Sequence, residues 1–181
     1  MAYEPQEDSH LLLKHVKELA HGRVLDMGTG SGILAVGAAE KEEVVEVIAV
    51  DVDEQQINDL RKKKIKKIKA FQGDLFLNIG GSFDVIIFNP PYLPIDEEDE
   101  DAALDGGKKG YELIERFLYQ AKNYLSPKGF ILMVFSNRTG KEEVDNIIKQ
   151  EGYEYELLDQ HNLAFFEELY VYKIIKSTTS P

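Results

Sequence analysis

Short, uniformly apolar runs alternate with segments of helical periodicity along most of this chain. The runs suit a sheet that is covered by helices on both faces, because a strand with one wet face would alternate apolar and polar residues. They occupy residues 23–26, 44–51, 68–72, 83–88 and 130–135, and the helical segments occupy 9–20, 33–40, 53–63, 110–125 and 141–150. Two further strand-like stretches, 153–159 and 165–175, have no helical segment between them and predict an antiparallel hairpin.

This alternation predicts an α/β fold, with a doubly wound, mostly parallel sheet of seven strands that ends in the C-terminal hairpin. The length of 181 residues suits one domain. We expect that domain to span 1–176, with an N-terminal helix at 9–20 and a disordered tail at 177–181. In such sheets, ligands bind at the carboxyl ends of the strands.

Composition excludes several classes of function. The chain has 21 Lys+Arg against 33 Asp+Glu, a net charge of −12, which makes nucleic acid a disfavoured partner. It has no cysteine, and its four histidines show no metal-ligand spacing, so we expect no metal site and no cysteine nucleophile. No apolar run approaches the roughly 20 residues of a bilayer span, and we expect a soluble, cytoplasmic protein without membrane contact.

Three glycines, Gly28, Gly30 and Gly32, alternate between the first predicted strand and the following helix. At such a turn the backbone bends sharply and can approach a ligand closely. Asp26 stands two residues before the first of these glycines, where a carboxylate would repel a pyrophosphate but favour an ammonium or a sulfonium. The turn therefore predicts S-adenosylmethionine, whose amino-acid end carries such groups, as the cofactor.

Acidic residues also end the next two predicted strands. Asp51 ends the second strand, where an acid can accept hydrogen bonds from ribose hydroxyls, and Asp74 follows the third, where it can accept from an adenine amino group. Any one of these acids could equally be a turn former or a helix cap. As a set with Asp26, they favour a nucleoside-bearing cofactor.

The fourth predicted strand runs into the tetrapeptide Asn89-Pro90-Pro91-Tyr92. Two prolines fix the backbone and remove two amide donors, so the carbonyls at this tip can face a substrate. The Asn89 side-chain oxygen and the Pro90 carbonyl could accept the two N–H bonds of a planar amino group, while Tyr92 packs flat against it. The motif predicts methyl transfer to such a nitrogen, catalysed mostly by positioning.

Together, these motifs resemble the HemK-like class I S-adenosylmethionine-dependent methyltransferases, in the short archaeal and eukaryotic type that methylates a glutamine of translation release factors. The resemblance rests on Tyr3-Glu4-Pro5, Glu7-Asp8-Ser9, Asp26 to Gly32, Asn89 to Tyr92, and Gly106, Gly107 and Gly110. It implies a Rossmann-like methyltransferase fold and a small zinc-binding activator subunit. It also implies cofactor contacts at Ser9, Asp26, Gly28, Gly30, Asp51, Asp74, Leu75 and Asn89, and a substrate-amide clamp at Asn89, Pro90 and Tyr92. Ser9 stands where threonine is common and keeps the hydroxyl.

Three functions fit this sequence. The leading interpretation is N5-methylation of a glutamine in the Gly-Gly-Gln loop of a peptide-chain release factor. The alternative is adenine-N6 methylation of RNA or DNA, since the same tetrapeptide can hold any planar amino group, although an acidic chain supplies phosphate contacts poorly. An idle cofactor-binding subunit is disfavoured by the intact clamp. The six acids Asp96 to Asp101, close after Tyr92, favour a basic protein surface over a phosphate backbone, or form a merely solvated loop.

Overall fold

The computed structural model describes residues 7–91 and 110–178 of the chain. The helices in these residues are α1 (Glu7–Leu19), α2 (Ile33–Ala39), α3 (Glu54–Lys62), α4 (Glu112–Ala121) and α5 (Lys141–Gln150). The strands are β1 (Gly22–Met27), β2 (Val44–Asp51), β3 (Ile68–Gln72), β4 (Phe83–Phe88), β5 (Leu125–Ser136), β6 (Tyr153–Asn162) and β7 (Glu168–Lys176). No helix in these two ranges is long and apolar enough to cross a membrane.

The strands form one sheet in the order β3-β2-β1-β4-β5-β7-β6. The first five strands, β1 to β5, are all parallel to one another, and β7 is antiparallel to both β5 and β6. The predicted fold class, a mostly parallel seven-stranded sheet with a C-terminal antiparallel hairpin, is therefore confirmed. The carboxyl ends of β1 to β5 meet at a single edge of the sheet, where the predicted site residues of the first four strands are placed together.

Helices cover both faces of the sheet. α1, α2 and α3 bury their apolar sides on one face, and α4 and α5 bury theirs on the other. Because both faces are covered, β4 is almost continuously buried: Phe83, Val85, Ile86, Ile87 and Phe88 are each at most 2% exposed. This packing explains why the apolar runs are uniform rather than alternating.

The bounds of β2, β3, β4 and α5 agree with those predicted, whereas α4 and β5 differ. The helix predicted over 110–125 ends at Ala121, and β5 begins at Leu125 rather than at residue 130. Leu125 pairs with Phe83, and the Ser126 hydroxyl donates to Asp84 Oδ1 at 2.9 Å, so this segment joins the sheet despite Pro127. The pairing register of the two strands shifts between Phe83 and Val85, and the extra residues of β5 between Leu125 and Phe130 bulge out of the ladder there.

The C-terminal hairpin also differs in detail from its prediction. β6 continues to Asn162, and β7 begins at Glu168 instead of residue 165, because Ala164–Phe166 forms a tight turn with positive φ angles at Phe165 and Phe166. At the chain end, the Ser177 N–H donates to the Gly152 carbonyl at 2.9 Å. The predicted tail otherwise lies mostly outside the described residues, which end at residue 178.

Candidate active site

The carboxyl ends of β1 to β4 and the first turn of α1 enclose a cleft of about 680 Å³. This volume lies in the range of roughly 300 to 1,000 Å³ that is usual for small-molecule sites. The cleft is lined by these predicted site residues: Ser9, Gly28, Gly30, Asp51, Asp74, Leu75, Asn89 and Pro90. Asp26 lies beneath the lining, and Tyr92 falls outside the described residues.

The glycine turn after β1 forms the floor of the cleft. Gly28 has a φ of +66°, and a Cβ built there would meet no atom within 4 Å, so the turn leaves open space above this residue. At Gly32, with a φ of +80°, a Cβ would stand 2.6 Å from a methyl carbon of Leu60. Gly32 therefore lets the turn pack against α3, whereas Gly28 leaves room for a ligand to approach the backbone.

Asp26 is fully buried under this turn and organises it. Its Oδ2 accepts hydrogen bonds from the Thr29 hydroxyl at 2.6 Å and from the Ala35 N–H at 3.0 Å. Its Oδ1 has no hydrogen-bond partner among the described residues. Burial raises the pKa of Asp26 to about 7, and the two hydrogen bonds oppose this rise only in part. A cation bound above the turn would favour the ionised carboxylate.

Asp51 connects the tip of β2 to the glycine turn. Its Oδ2 accepts from the Gly30 N–H at 2.8 Å, and its Oδ1 accepts from the Asp53 N–H at 2.9 Å. The Thr29 N–H donates to the Val50 carbonyl at 2.9 Å and reinforces this connection. Each carboxylate oxygen has a further lone pair, so Asp51 can still accept hydrogen bonds from two hydroxyls of a ligand.

The tip of β3 contributes Asp74 and Leu75. Asp74 Oδ2 pairs with the Arg116 guanidinium on α4 at 2.9 Å, and both side chains are about half exposed, so solvent screens this ion pair. Leu75 is 6% exposed and has a φ of +48° in a turn that the Leu77 N–H closes by donating to the Asp74 carbonyl at 3.1 Å. Asp74 and Leu75 thus add one carboxylate and one apolar surface to the same edge of the sheet.

Asn89, directly after β4, has its side chain oriented by α1. Its Nδ2 donates to the Ser9 hydroxyl at 3.1 Å, and this contact joins residues 80 positions apart in the sequence. With the amide nitrogen engaged, Oδ1 is buried and has no hydrogen-bond partner within residues 7–91 and 110–178. A buried acceptor without a donor costs about 1–3 kcal/mol. A ligand N–H at this oxygen would remove that cost.

Sequence reasoning missed several contributors to the cleft, among them Val52, Thr29 and Leu113. Val52 follows Asp51 and is 58% exposed, and it offers an apolar surface for a ring. Thr29 fixes the buried carboxylate of Asp26, and Leu113 reaches the cleft from α4. An apolar residue next to a strand-end acid was a usable signal for Val52, whereas the other two depend on tertiary contacts. The described residues hold no group of three or more His, Asp or Glu side chains arranged to bind a metal.

The strand order, the glycine turn and the strand-tip acids define a methyltransferase with a Rossmann-like fold. Residues 4–163 match the family model described as the methyltransferase small domain. A Methanocaldococcus jannaschii protein, assigned as a protein N5-glutamine methyltransferase, is 38% identical over 178 residues, which cover 93% of this chain and 89% of that protein. The chain belongs to the methyltransferase small domain family and, within it, to the protein N5-glutamine methyltransferases.

Two further relatives match this chain over different shares of their own length. The release factor glutamine methyltransferase of Deinococcus radiodurans is 30% identical over 141 residues, covering 71% of this chain and 51% of that protein. This chain thus matches about half the length of that bacterial relative. A chain of the E. cuniculi Mtq2–Trm112 complex, which is responsible for the methylation of the eRF1 translation termination factor, is 26% identical. The two structures superpose with a TM-score of 0.77, over 97% of this chain and 98% of that chain.

Proposed function

We propose that this protein transfers a methyl group from S-adenosylmethionine to the side-chain nitrogen of a glutamine in the Gly-Gly-Gln loop of a peptide-chain release factor. The observation that carries the proposal is the Asn89 Oδ1 atom, which is buried at the cleft and has no hydrogen-bond donor in the part of the chain that the structure describes. A glutamine amide offers two N–H donors on one planar nitrogen. It therefore supplies the group that this oxygen needs.

The residues of the cleft fit the cofactor. The open space above Gly28 admits its amino-acid end, Asp51 retains acceptor capacity for ribose hydroxyls, and Val52 offers an apolar face for the base. Bound there, S-adenosylmethionine supplies a methyl group activated by a positively charged sulfur. The buried Asp26 carboxyl lies beneath the same turn and adds favourable electrostatics for a cation.

Asn89 and Pro90 act on the substrate by orientation. The lone pair of an amide nitrogen is delocalised into its carbonyl, which makes this nitrogen a poor nucleophile. Asn89 Oδ1 accepts a hydrogen bond from one N–H of the amide, and the Pro90 carbonyl accepts from the other. These two hydrogen bonds hold the amide with its nitrogen facing the cofactor. No strong base is required, because the methylated nitrogen can release its proton to water. Tyr92 is proposed as the packing face for the amide plane.

Asp51→Ala is expected to weaken S-adenosylmethionine binding by more than about tenfold, because it removes charge-assisted hydrogen bonds to the ligand and the carboxylate that fixes Gly30. Isothermal titration calorimetry measures this change. The matched control is Asp59→Ala on α3, an exposed carboxylate that pairs with Lys62. Equal affinities for wild type and Asp51→Ala would show that the cofactor does not contact the tip of β2.

The substrate is tested by methyl labelling of a release factor, of the same protein without its Gly-Gly-Gln loop, and of total RNA and DNA. We expect label in the intact release factor and in none of the others. Label in adenine of RNA or DNA, with the release factor unlabelled, would contradict the proposed function.

The acidic run Asp96 to Asp101 provides a test by charge, although it lies outside the described residues. Replacing its six acids by Asn and Gln is expected to lower release factor methylation by a few-fold at most, and added salt should reproduce any loss. A nucleic-acid enzyme would respond in the opposite direction, because acidic residues that follow Tyr92 so closely in the sequence would oppose the phosphates of the substrate. A gain in RNA or DNA methylation by the neutralised variant would contradict a protein substrate.

We also propose that the protein binds a small zinc-binding partner subunit. We propose a cytoplasmic location as well, because translation occurs there. The support for a partner is the two-protein composition of the Mtq2–Trm112 complex. Copurification from the native host and a rise in methylation on adding the partner test this assembly. Full activity of the chain alone, with no gain from any copurifying protein, would contradict it.

A further inference from the structure

The turn between β6 and β7 exposes two adjacent aromatic side chains. Phe165 is 88% exposed and Phe166 is 97% exposed. Both adopt left-handed backbone conformations, with φ of +59° and +61°, a region that favours glycine or asparagine and disfavours bulky residues. Exposure and backbone conformation both cost stability here. Such a costly arrangement is typical of a functional element.

This segment, called the aromatic turn (Ala164–Phe166), is held firmly to the end of β5. The Asn137 Nδ2 donates to the Phe166 carbonyl at 3.0 Å, and Asn137 Oδ1 accepts from the Glu168 N–H at 3.1 Å. The Leu163 N–H donates to the Glu167 carbonyl at 2.7 Å and closes the turn. The two phenylalanines are therefore presented from a fixed backbone.

The aromatic turn stands on the same edge of the sheet as Asn89. Phe88 pairs with Met133, so the tip of β4 lies level with β5 a few residues before Asn137. Adjacent strands are about 4.8 Å apart and rise about 3.3 Å per residue, which places the turn, two strands across and about five residues further along, roughly 18 Å from Asn89. β7 is antiparallel to β5, and Ser136 pairs with Leu169, so the turn projects beyond this edge.

We propose that Phe165 and Phe166 form a docking surface for the protein that carries the target glutamine. This inference rests on the proposed function. A folded protein that inserts one loop into the cleft must also cover part of the surrounding edge of the sheet, and the aromatic turn projects from that same edge. Aromatic side chains on a rigid backbone are typical anchors of protein interfaces, because they bury much area at little entropic cost. The partner surface is an apolar pocket beside the glutamine loop.

The test is a double variant, Phe165→Asn with Phe166→Gly, which removes both rings while suiting the left-handed backbone. Its thermal stability should equal or exceed that of wild type, so loss of folding will not mimic loss of docking. We expect kcat/KM on the intact release factor to fall at least about tenfold, mainly through KM. Activity on a short Gly-Gly-Gln peptide and S-adenosylmethionine affinity should stay within twofold of wild type. Each assay is run on the chain alone and on the chain with its copurifying partner.

Val45→Asn is the matched control, because Val45 is 76% exposed near the start of β2, at the opposite edge of the sheet. If wild type methylates both substrates and the double variant has the same kcat/KM on the intact release factor, the proposed docking role is wrong while the proposed function stands. Three other results would overturn the docking role. The first is an equal loss of activity on the protein and on the peptide. The others are a loss of partner binding, or a change from dimer to monomer with methylation intact. Methylation of neither substrate by wild type would remove the proposed function and the docking role together.

Discussion

Asn89→Ala is expected to lower the single-turnover rate of methyl transfer by roughly a thousandfold, to the limit of detection. The substitution removes the buried acceptor that would hold the glutamine N–H, so the amide nitrogen loses its orientation towards the cofactor. S-adenosylmethionine affinity should stay within about tenfold, or about 1.4 kcal/mol, because Asn89 makes at most a secondary cofactor contact. Rapid-quench measurement of labelled methyl transfer, together with calorimetric binding, separates the two effects.

The control for Asn89→Ala is Asn123→Ala, an exposed asparagine in the turn between α4 and β5 at the opposite edge of the sheet. A companion variant, Ser9→Ala, leaves the acceptor in place but removes the hydroxyl that fixes the amide. Its rate should fall less, by about tenfold, since the correct orientation remains accessible. A wild-type rate for Asn89→Ala would show that the substrate clamp lies elsewhere.

Asp26 alone is expected to lower the free energy of unfolding by about 3 kcal/mol between pH 4.5 and pH 8. Burial raises the pKa of this carboxyl to about 7 from its ordinary value of 3.8. Between these values the folded protein keeps a proton that the unfolded chain has released, so rising pH favours unfolding. Below this window both states are protonated and the loss is absent. Above it both are ionised and the loss is constant.

Urea unfolding of wild type and Asp26→Asn at pH 4.5, 6 and 8 tests this expectation. Asparagine does not ionise and can still accept from Thr29 and Ala35, so the stability of the variant relative to wild type should increase by about 3 kcal/mol across the series. Asp59→Asn, at an exposed carboxylate on α3, is the control and should show no such trend. A pH-independent difference between wild type and Asp26→Asn would mean that Asp26 is ionised when buried.

The same carboxyl links cofactor binding to pH. A positively charged ligand above the glycine turn favours ionised Asp26, so wild-type affinity should rise by up to about tenfold from pH 5.5 to pH 7.5. Calorimetry in buffers of different ionisation enthalpy should detect proton release on binding. Asp26→Asn should show neither effect, and identical pH profiles for the two proteins would contradict the assignment.

The sequence predicted the sheet well where apolar runs were uniform and flanked by turn residues. β2, β3 and β4 match their predicted bounds. In β4 the reason is burial on both faces, which keeps its run almost continuously apolar, whereas β3 is a mostly exposed edge strand whose ends were marked by the flanking turn residues. The start of β5 was not predictable in this way, since Pro127 and Gly129 normally end a strand, whereas here a register shift accommodates them. Phe165 and Phe166 extended the predicted strand β7 because local apolarity does not distinguish a strand from an exposed turn.

For the residues of the candidate site, the sequence predicted where in the fold they lie more readily than how their side chains are oriented. Asp51 and Asn89 end strands whose tips the topology brings together, so their presence at one edge followed from the strand order. The burial of Asp26 beneath the turn depends on Thr29 and on the start of α2. The orientation of Asn89 depends on a hydroxyl 80 residues away. No local pattern in the sequence carries such long-range contacts.

The position of β7 between β5 and β6 has a consequence for biosynthesis. β7 leaves the ribosome after the other six strands of this sheet, yet it covers the edge of β5, whose residues Phe130 to Phe135 are almost fully buried in the folded protein. Until that strand emerges, the nascent chain presents an apolar, unpaired edge to every other chain nearby, which favours aggregation. Premature termination before residue 168 should therefore yield a product that chaperones retain and proteases remove, rather than a shortened enzyme.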